Sequence, residues 1–349
     1  MKAAPVLRAL GKDDAVPQTL VHTGQHYDKN LSDIFFSQLS MPAPDVNLEV
    51  GSGSHAWQTA EVMKRLEPVI LERNPDVVLV YGDVNSTLAA ALVCSKLLVP
   101  VAHVEAGLRS FDRHMPEEIN RIVTDRLAGL LFTPSEDGDI NLSREGIPAE
   151  RVHRVGNVMI DSLVQLLPAA LQCSQNGFPE KYALVTLHRP SNVDDSTVLQ
   201  GILKALLEVN EQLKVVFPVH PRTRQRIAQF GINLERVHML EPLPYIEFLS
   251  LQRRAIVVIT DSGGIQEETT YLGVPCLTLR DSTERPVTVT SGTNLLVGCD
   301  LALLNSELAR ILEGKGKKGS IPPLWDGHAS ERIAQILLKG KFAAVAAEP

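Results

Sequence analysis

The sequence predicts an α/β protein built from two doubly wound parallel-sheet domains, and three observations carry that prediction. Short apolar runs alternate with longer amphipathic stretches along the whole chain, the pattern of parallel strands joined by helices. Many of these runs deliver glycine, acid or histidine at their carboxyl ends, where open parallel sheets hold ligands. The chain has 349 residues, room for two domains of about 100 to 200 residues each.

In the first half, residues 2–10 read as an amphipathic helix with Val6, Leu7 and Leu10 on one face. Thr19–His26 reads as a strand, Tyr27–Leu39 as a helix, and Ser52–His55 as a loop before a long helix, Trp57–Arg73. Strand Asp76–Tyr81 delivers Gly82 and Asp83; after helix Ser86–Leu98, strand Val99–His103 delivers Glu105. Asp83 reads equally well as a helix cap, whereas Glu105, in Glu105-Ala106-Gly107-Leu108-Arg109, has no capping role for a glutamate to fill. Glu117 opens a further helix, where first-turn dipole complementation is an even alternative to chemistry. Strand Leu130–Thr133, helix Asp137–Arg144 and strand Val152–Val155 complete this half, with a boundary expected after Gly156.

In the second half, 157–325, the polar stretch Ser174–Lys181 precedes strand Tyr182–Leu187, which ends at His188-Arg189. Asp195 or Ser196 caps a helix whose inner face is Val198, Leu199, Ile202, Leu203, Leu206 and Leu207. Strands Lys214–Val219 and Val237–Leu240 follow, then a helix, Ile246–Leu251, carrying Phe248. The organising stretch is Ile259–Thr293. An apolar strand ends at Asp261-Ser262-Gly263-Gly264, and Ile265 onward can start a helix. Adjacent glycines let backbone approach an anion, and the free amides of the helix start hold it, for roughly 0.3–2 kcal/mol. Glu268 stands about one turn in, placed to accept ribose hydroxyls, and Arg285 can fork onto the same anion. Strand Val274–Leu279 follows, and a last helix, Asp326–Leu338, within 326–349, is expected to return to the first half.

Composition narrows the function. A net charge of −7 and pI near 5.8 argue against nucleic acid or an anionic membrane as the main partner. The longest apolar run falls short of about 18 residues, and the start does not lead a signal-peptide pattern, so the cytoplasm is expected. Cys94, Cys173, Cys276 and Cys299 lack metal-ligand spacing, so neither a metal nor disulfides are expected. A nucleotide-diphosphate pocket in one half and strand-end acids in the other point to a sugar nucleotide bound across a cleft between the two domains. His188 and His220 stand at strand ends on the pocket side, where His188 reads equally as a structural residue or as a diphosphate partner.

Seven motifs in order, Thr23-Gly24-Gln25-His26, Gly82-Asp83, His103 to Arg109, Pro116 to Arg121, Thr186-Leu187-His188-Arg189, Asp261 to Glu268 and Thr283-Glu284-Arg285-Pro286, resemble the non-hydrolysing UDP-N-acetylglucosamine 2-epimerases over nearly the whole chain. The resemblance implies a glycosyltransferase-B-type fold of two Rossmann-like domains, and a homodimer needing no cofactor. It implies catalytic roles for Asp83, Glu105, Glu117 and His188, and UDP contacts from Ser262, Gly263, Gly264, Glu268 and Arg285. Phe248 and the Leu243 backbone would flank the uracil, Lys2 would meet a phosphate, and Gln25 and His26 match a site where a second substrate molecule acts as activator.

The implied chemistry accounts for these residue types. The C2 proton of the sugar is not beside a carbonyl, so it leaves as the C1–oxygen bond breaks, giving UDP and a 2-acetamidoglucal; a proton then returns to the opposite face and UDP re-adds. Two faces require at least two acid–base groups, each worth roughly 100 to 10,000-fold. A 2,3-diacetamido uronic acid is the alternative sugar, and a non-catalytic UDP-sugar binder the alternative class. The family pattern begins with a strand and a glycine-threonine-arginine-proline-glutamate loop ahead of Lys2. This chain begins after both, so the first sheet is expected to lack its central strand and to expose two edges.

Overall fold

A computed structural model describes residues 1–24, 36–174, 177–231 and 234–340 of the chain. It divides into two compact units, Met1–Ser162 with Pro323–Pro349, and Leu163–Pro322. Both are α/β with parallel strands throughout.

The first unit holds its strands in two separate ladders. The strands β1 (Val21–His22) and β2 (Val46–Asn47) pair with each other; β3 (Val78–Tyr81), β4 (Val101–Val104), β5 (Leu130–Thr133) and β6 (Val152–Arg154) form the second ladder in that order. Among the described residues no strand joins the two ladders. The strand expected over Thr19–His26 is only two residues long here, and the helix expected over Tyr27–Leu39 falls mostly outside the described residues.

Strands β4 and β5 are buried along their whole length because helices cover both faces. One face packs Ala102, Val104, Leu130 and Phe132 against α1 (Ala3–Leu10) and the C-terminal helix Ala329–Leu338. The other packs Val80, Val101 and Leu131 against α2 (His55–Arg73) and α3 (Asn85–Lys96). Side chains such as Ile333 and Leu337, buried against α1, contribute about 1.5–3 kcal/mol each. On α1 the buried face is Ala4, Pro5, Val6, Ala9 and Leu10, with Leu7 only half-buried, a turn of the helix relative to the sequence expectation.

The C-terminal helix begins at Ala329 rather than Asp326. Gly327 sits at φ 83°, which ends any upstream helix, and the buried first-turn amides of Ala329 and Ser330 donate to Asp161 at 3.1 and 2.7 Å.

The chain passes between units within a helix, Val158–Gln172. The second unit has six parallel strands, β7 (Tyr182–Thr186), β8 (Lys214–Pro218), β9 (His238–Leu240), β10 (Val257–Thr260), β11 (Cys276–Thr278) and β12 (Asn294–Leu296), ordered β12-β11-β10-β7-β8-β9. The order reverses between β7 and β10, the switch point outside which an open α/β sheet leaves a crevice. Asp195 caps helix Ser196–Gln212 by accepting from Thr197 and Val198 N–H, and Leu199, Ile202, Leu203 and Leu206 bury its inner face. Two of the four cysteines are buried, Cys94 and Cys276; Cys299 is exposed.

Candidate active site

In the first unit, the ends of β3 and β4 bring four charged side chains around one glycine. Gly82 sits at φ 66°, and a Cβ there would meet Lys2 Nζ at 2.6 Å and Glu105 Oε2 at 3.2 Å. Glycine is what lets Lys2 and Glu105 close into an ion pair at this point. The next residue, Asp83, pairs with Arg121. Its side chain does not cap α3, whose N-cap is Val84, so the capping alternative does not describe what this acid does. Lys2, matched by resemblance to a phosphate contact, meets Glu105 here.

Glu105 adopts φ 75°, a left-handed conformation unusual for a residue with a side chain. Its surroundings hold it there. The amides of Glu105 and Ala106 both donate to the Phe132 carbonyl at 3.0 Å, and the Gly107 amide donates to Asp125 at 3.1 Å. Gly107, at φ 80°, packs so tightly that a Cβ would lie 2.5 Å from the Gly138 carbonyl oxygen. Strain fixed this firmly by its environment is a device for aiming a side chain.

Helix α4 (Pro116–Leu127) supplies the remaining acids. Its Asn120 donates to the Asp83 carbonyl at 2.8 Å, so its first turns lie beside Asp83. Glu117 and Arg121, four apart, share a face of that helix. Glu117 is half-buried in the first turn. Its neighbour Glu118 is buried and accepts from the Ser110 and Phe111 amides, both at 2.9 Å, and from Arg121. Burial pushes the Glu118 carboxyl up, but those amides and Arg121 outweigh it and hold the group below its ordinary range.

In the second unit, β7 and β10 end side by side at the switch point. Asp261, fully buried, accepts from the His188 and Arg189 amides at 3.0 and 2.9 Å and from Asn192, and lies 2.9 Å from His188 Nδ1. Burial raises the Asp261 carboxyl, and the bond and charge of His188 more than reverse that. The imidazole, 44% exposed, is thus anchored at Nδ1 with Nε2 on the outer side. His220 stacks obliquely on it at 6.1 Å.

Helix Gly263–Leu272 starts directly after Ser262. The Ser262 amide is taken by Thr260 Oγ1 at 3.0 Å, which leaves the first-turn amides of Gly263, Gly264 and Ile265 free of intrahelical partners. Arg285 lies over this turn: a Cβ on Gly263 would meet its Nη1 at 2.5 Å. It pairs with Glu284 and with buried Glu267 at 2.8 Å. Burial pushes Glu284 up, yet Arg285 and Arg280 hold it well below its ordinary range. Glu268 is only 3% exposed and accepts from the Tyr245 hydroxyl at 2.8 Å; burial pushes its carboxyl up to about 7. Phe248 and Leu243 pack half-buried on the cluster around Tyr182 and Leu184.

Asp83, Glu105 and Lys2 thus gather with the start of α4 in one unit, and Ser262, Gly263, Gly264, Glu268, Arg285 and His188 gather at the switch point of the other. Gln25 and His26 lie outside the described residues. Sequence reasoning passed over the partners of these groups: Arg121, Glu118, His103 and Asp125 in the first unit, Asp261, Tyr245 and Glu267 in the second. Glu118 and Arg121 were within reach, being an acid and a base three apart on one helix. Among the described residues, no three His, Cys, Asp or Glu side chains gather to cage a metal, and no helix is long and apolar enough to cross a membrane.

Comparison with known proteins matches residues 8–338 to the family described as UDP-N-acetylglucosamine 2-epimerase. The UDP-N-acetylglucosamine 2-epimerase of Methanocaldococcus jannaschii is 43% identical, with 98% of this chain and 96% of that protein covered. The UDP-2,3-diacetamido-2,3-dideoxy-D-glucuronate 2-epimerase of Pseudomonas aeruginosa is 44% identical, with 97% and 96% covered. Among solved structures, the M. jannaschii enzyme in complex with UDP-GlcNAc and UDP superposes with a TM-score of 0.90 over 97% of this chain and 96% of that one. The Neisseria meningitidis enzyme bound to UDP-GlcNAc, 32% identical, gives 0.88 over 97% and 96%.

Proposed function

The chain belongs to the UDP-N-acetylglucosamine 2-epimerase family, and we propose that it interconverts UDP-N-acetylglucosamine and UDP-N-acetylmannosamine by inverting C2 of the sugar. The observation that carries the reading is that two strand-end acids stand at Gly82, Glu105 paired with Lys2 and Asp83 with Arg121, in a chain of this family.

In this reading the second unit holds the uridine diphosphate. The first-turn amides after Ser262, at Gly263 and Gly264, and the Arg285 guanidinium take the phosphates, Glu268 takes the ribose, and Leu243 and Phe248 flank the uracil. The first unit supplies Asp83, Glu105 and Glu117 for proton transfer, and Lys2 offers a cation to the departing diphosphate. His188, oriented by Asp261, supports the leaving group as the C1–oxygen bond breaks. A base removes the C2 proton, UDP leaves with the bonding pair, and the 2-acetamidoglucal forms. Reprotonation on the other face and re-addition of UDP at C1 close the cycle, so no redox partner is consumed. The enzyme works in the cytoplasm, as its lack of a signal-peptide pattern suggests, and as a homodimer in which Gln25 and His26 serve a second UDP-N-acetylglucosamine that acts as activator; the dimer and the activator rest on the family resemblance.

The Pseudomonas relative, 44% identical, supports a second reading in which the sugar is a 2,3-diacetamido uronic acid. One experiment separates them. The protein is incubated in deuterated water with each UDP sugar, and deuterium at C2 is followed. Exchange and epimer formation with UDP-N-acetylglucosamine support the first reading, and exchange with the uronate alone supports the second. Binding of either without exchange would overturn both in favour of a UDP-sugar binder.

A further inference from the structure

His103 stands in the middle of β4, fully buried, one residue before the end of that strand and two before Glu105. Its two ring nitrogens each meet an oxygen. Nδ1 lies 2.6 Å from Asp125 Oδ1, and Nε2 lies 2.8 Å from the carbonyl oxygen of Gly82. A carbonyl oxygen only accepts. Asp125 also only accepts here: burial pushes its carboxyl up, but His103 and Arg109 outweigh that and hold it below its ordinary range, and its other oxygen takes the Gly107 amide at 3.1 Å and Arg109 at 2.7 Å. A neutral imidazole donates from one nitrogen and presents a lone pair at the other, and a lone pair 2.8 Å from a carbonyl oxygen would repel it.

We infer that His103 is held as a buried imidazolium whose two N–H bonds tie the turn carrying Asp83 to the turn carrying Glu105, making it a positioning residue for both acids. Asp125, fully buried, thus meets His103 on one oxygen and Arg109 on the other, and Arg109 shares its own charge, in a fork at 2.7 Å to each oxygen, with Glu145, whose side chain is 36% exposed. The other ionised groups nearby, Lys2 and Glu105 across Gly82 and Arg121 with Asp83, are already paired with each other.

The mechanical consequence follows from the bonds on either side. The Gly82 peptide is fixed at both ends, its amide donating to Val104 at 3.0 Å and its carbonyl accepting from His103, so Asp83 leaves a turn that has no freedom to rotate. Asp125, oriented by His103, fixes the Gly107 amide, and with it the turn that holds Glu105 at positive φ. Positioning to within a fraction of an ångström is where much catalytic advantage resides.

The catalytic part of this inference rests on the proposed epimerase reading, and the charge part does not. In the full-length protein with ring-15N-labelled histidine, one histidine is expected to show two slowly exchanging ring N–H signals, and both should vanish in His103→Asn. Finding no histidine with two such protons, or finding them retained in the variant, would overturn the charge assignment. Folding of the variant is judged by UDP binding, which uses the other unit; should it not bind, the wild-type spectrum alone decides. His103→Gln, which can serve only one of the two oxygens as donor, is expected to lower kcat by about 100-fold while KM moves by less than about 3-fold. A kcat within about 2-fold of the unaltered enzyme would overturn the positioning role. If the unaltered enzyme fails to turn over UDP-N-acetylglucosamine, the epimerase reading falls and the labelled-histidine result still stands by itself.

Discussion

The Arg285 guanidinium occupies the space that a side chain on Gly263 would need, with Nη1 only 2.5 Å from where a Cβ would sit and Glu284 Oε1 2.9 Å away. A methyl group there displaces the guanidinium from the helix start and disturbs its approach to any anion held by the first-turn amides. Gly263→Ala is therefore expected to weaken UDP binding by about 10-fold or more, near 1.4 kcal/mol, while leaving the fold intact. Titration calorimetry checks this; unchanged affinity would mean that Arg285 does not meet the diphosphate.

Arg285 also has a structural duty. It neutralises Glu267, 1% exposed, and shares Glu284 with Arg280. Removing one member of a buried ionic group leaves an uncompensated charge, a cost of about 3–5 kcal/mol. Arg285→Met is expected to lose stability on that scale in urea unfolding, and the double variant Arg285→Met with Glu267→Gln to recover much of it. Two losses that simply add would show that the pair is not coupled.

Much of this was legible in the sequence because it follows from periodicity and turn chemistry. Strand Leu130–Thr133 and the Asp195 cap are local features, and the glycine turn after β10 announces itself by composition. What stayed hidden was set by tertiary pairing. Nothing local to Asp83 names Arg121, 38 residues away, as its partner. Glu268 reads as an open ribose acceptor from its helical position, yet Tyr245 comes from another helix to meet it in a buried place. The positive φ of Glu105 has no sequence signal either, since a glutamate gives no warning that its own amide and the next will both turn onto the Phe132 carbonyl.

Glu268 should leave a signature in the pH dependence of stability. Burial raises its carboxyl from 4.5 to about 7 in the folded protein, so the fold favours the protonated form. That contribution is fully present below pH 4.5 and is lost as pH rises through about 7, a change of about 3 kcal/mol. Glu268→Gln does not titrate. Without UDP, the variant is expected to gain on the wild type between about pH 5 and pH 8, read by urea unfolding at both. A difference that stays constant with pH would show that this carboxyl does not titrate as its burial requires.

Glu105→Gln tests the acid that the first unit is built to aim. The substitution keeps shape and removes charge, so the amides of residues 105 and 106 still reach the Phe132 carbonyl and Gly107 still reaches Asp125. Lys2 loses its ionic partner, but its side chain is 26% exposed and water takes up the charge, so little stability is lost. The groups proposed to bind UDP lie in the other unit, and affinity for UDP is expected to stay within about 3-fold. Proton transfer is another matter, since an amide neither takes nor returns a proton at this position. Deuterium entry at C2 of UDP-N-acetylglucosamine is expected to fall by about 100-fold or more. Full exchange in this variant would remove Glu105 from the reaction and leave Asp83 and Glu117 as the acids to pursue. Loss of UDP binding along with exchange would instead assign Glu105 to holding the substrate.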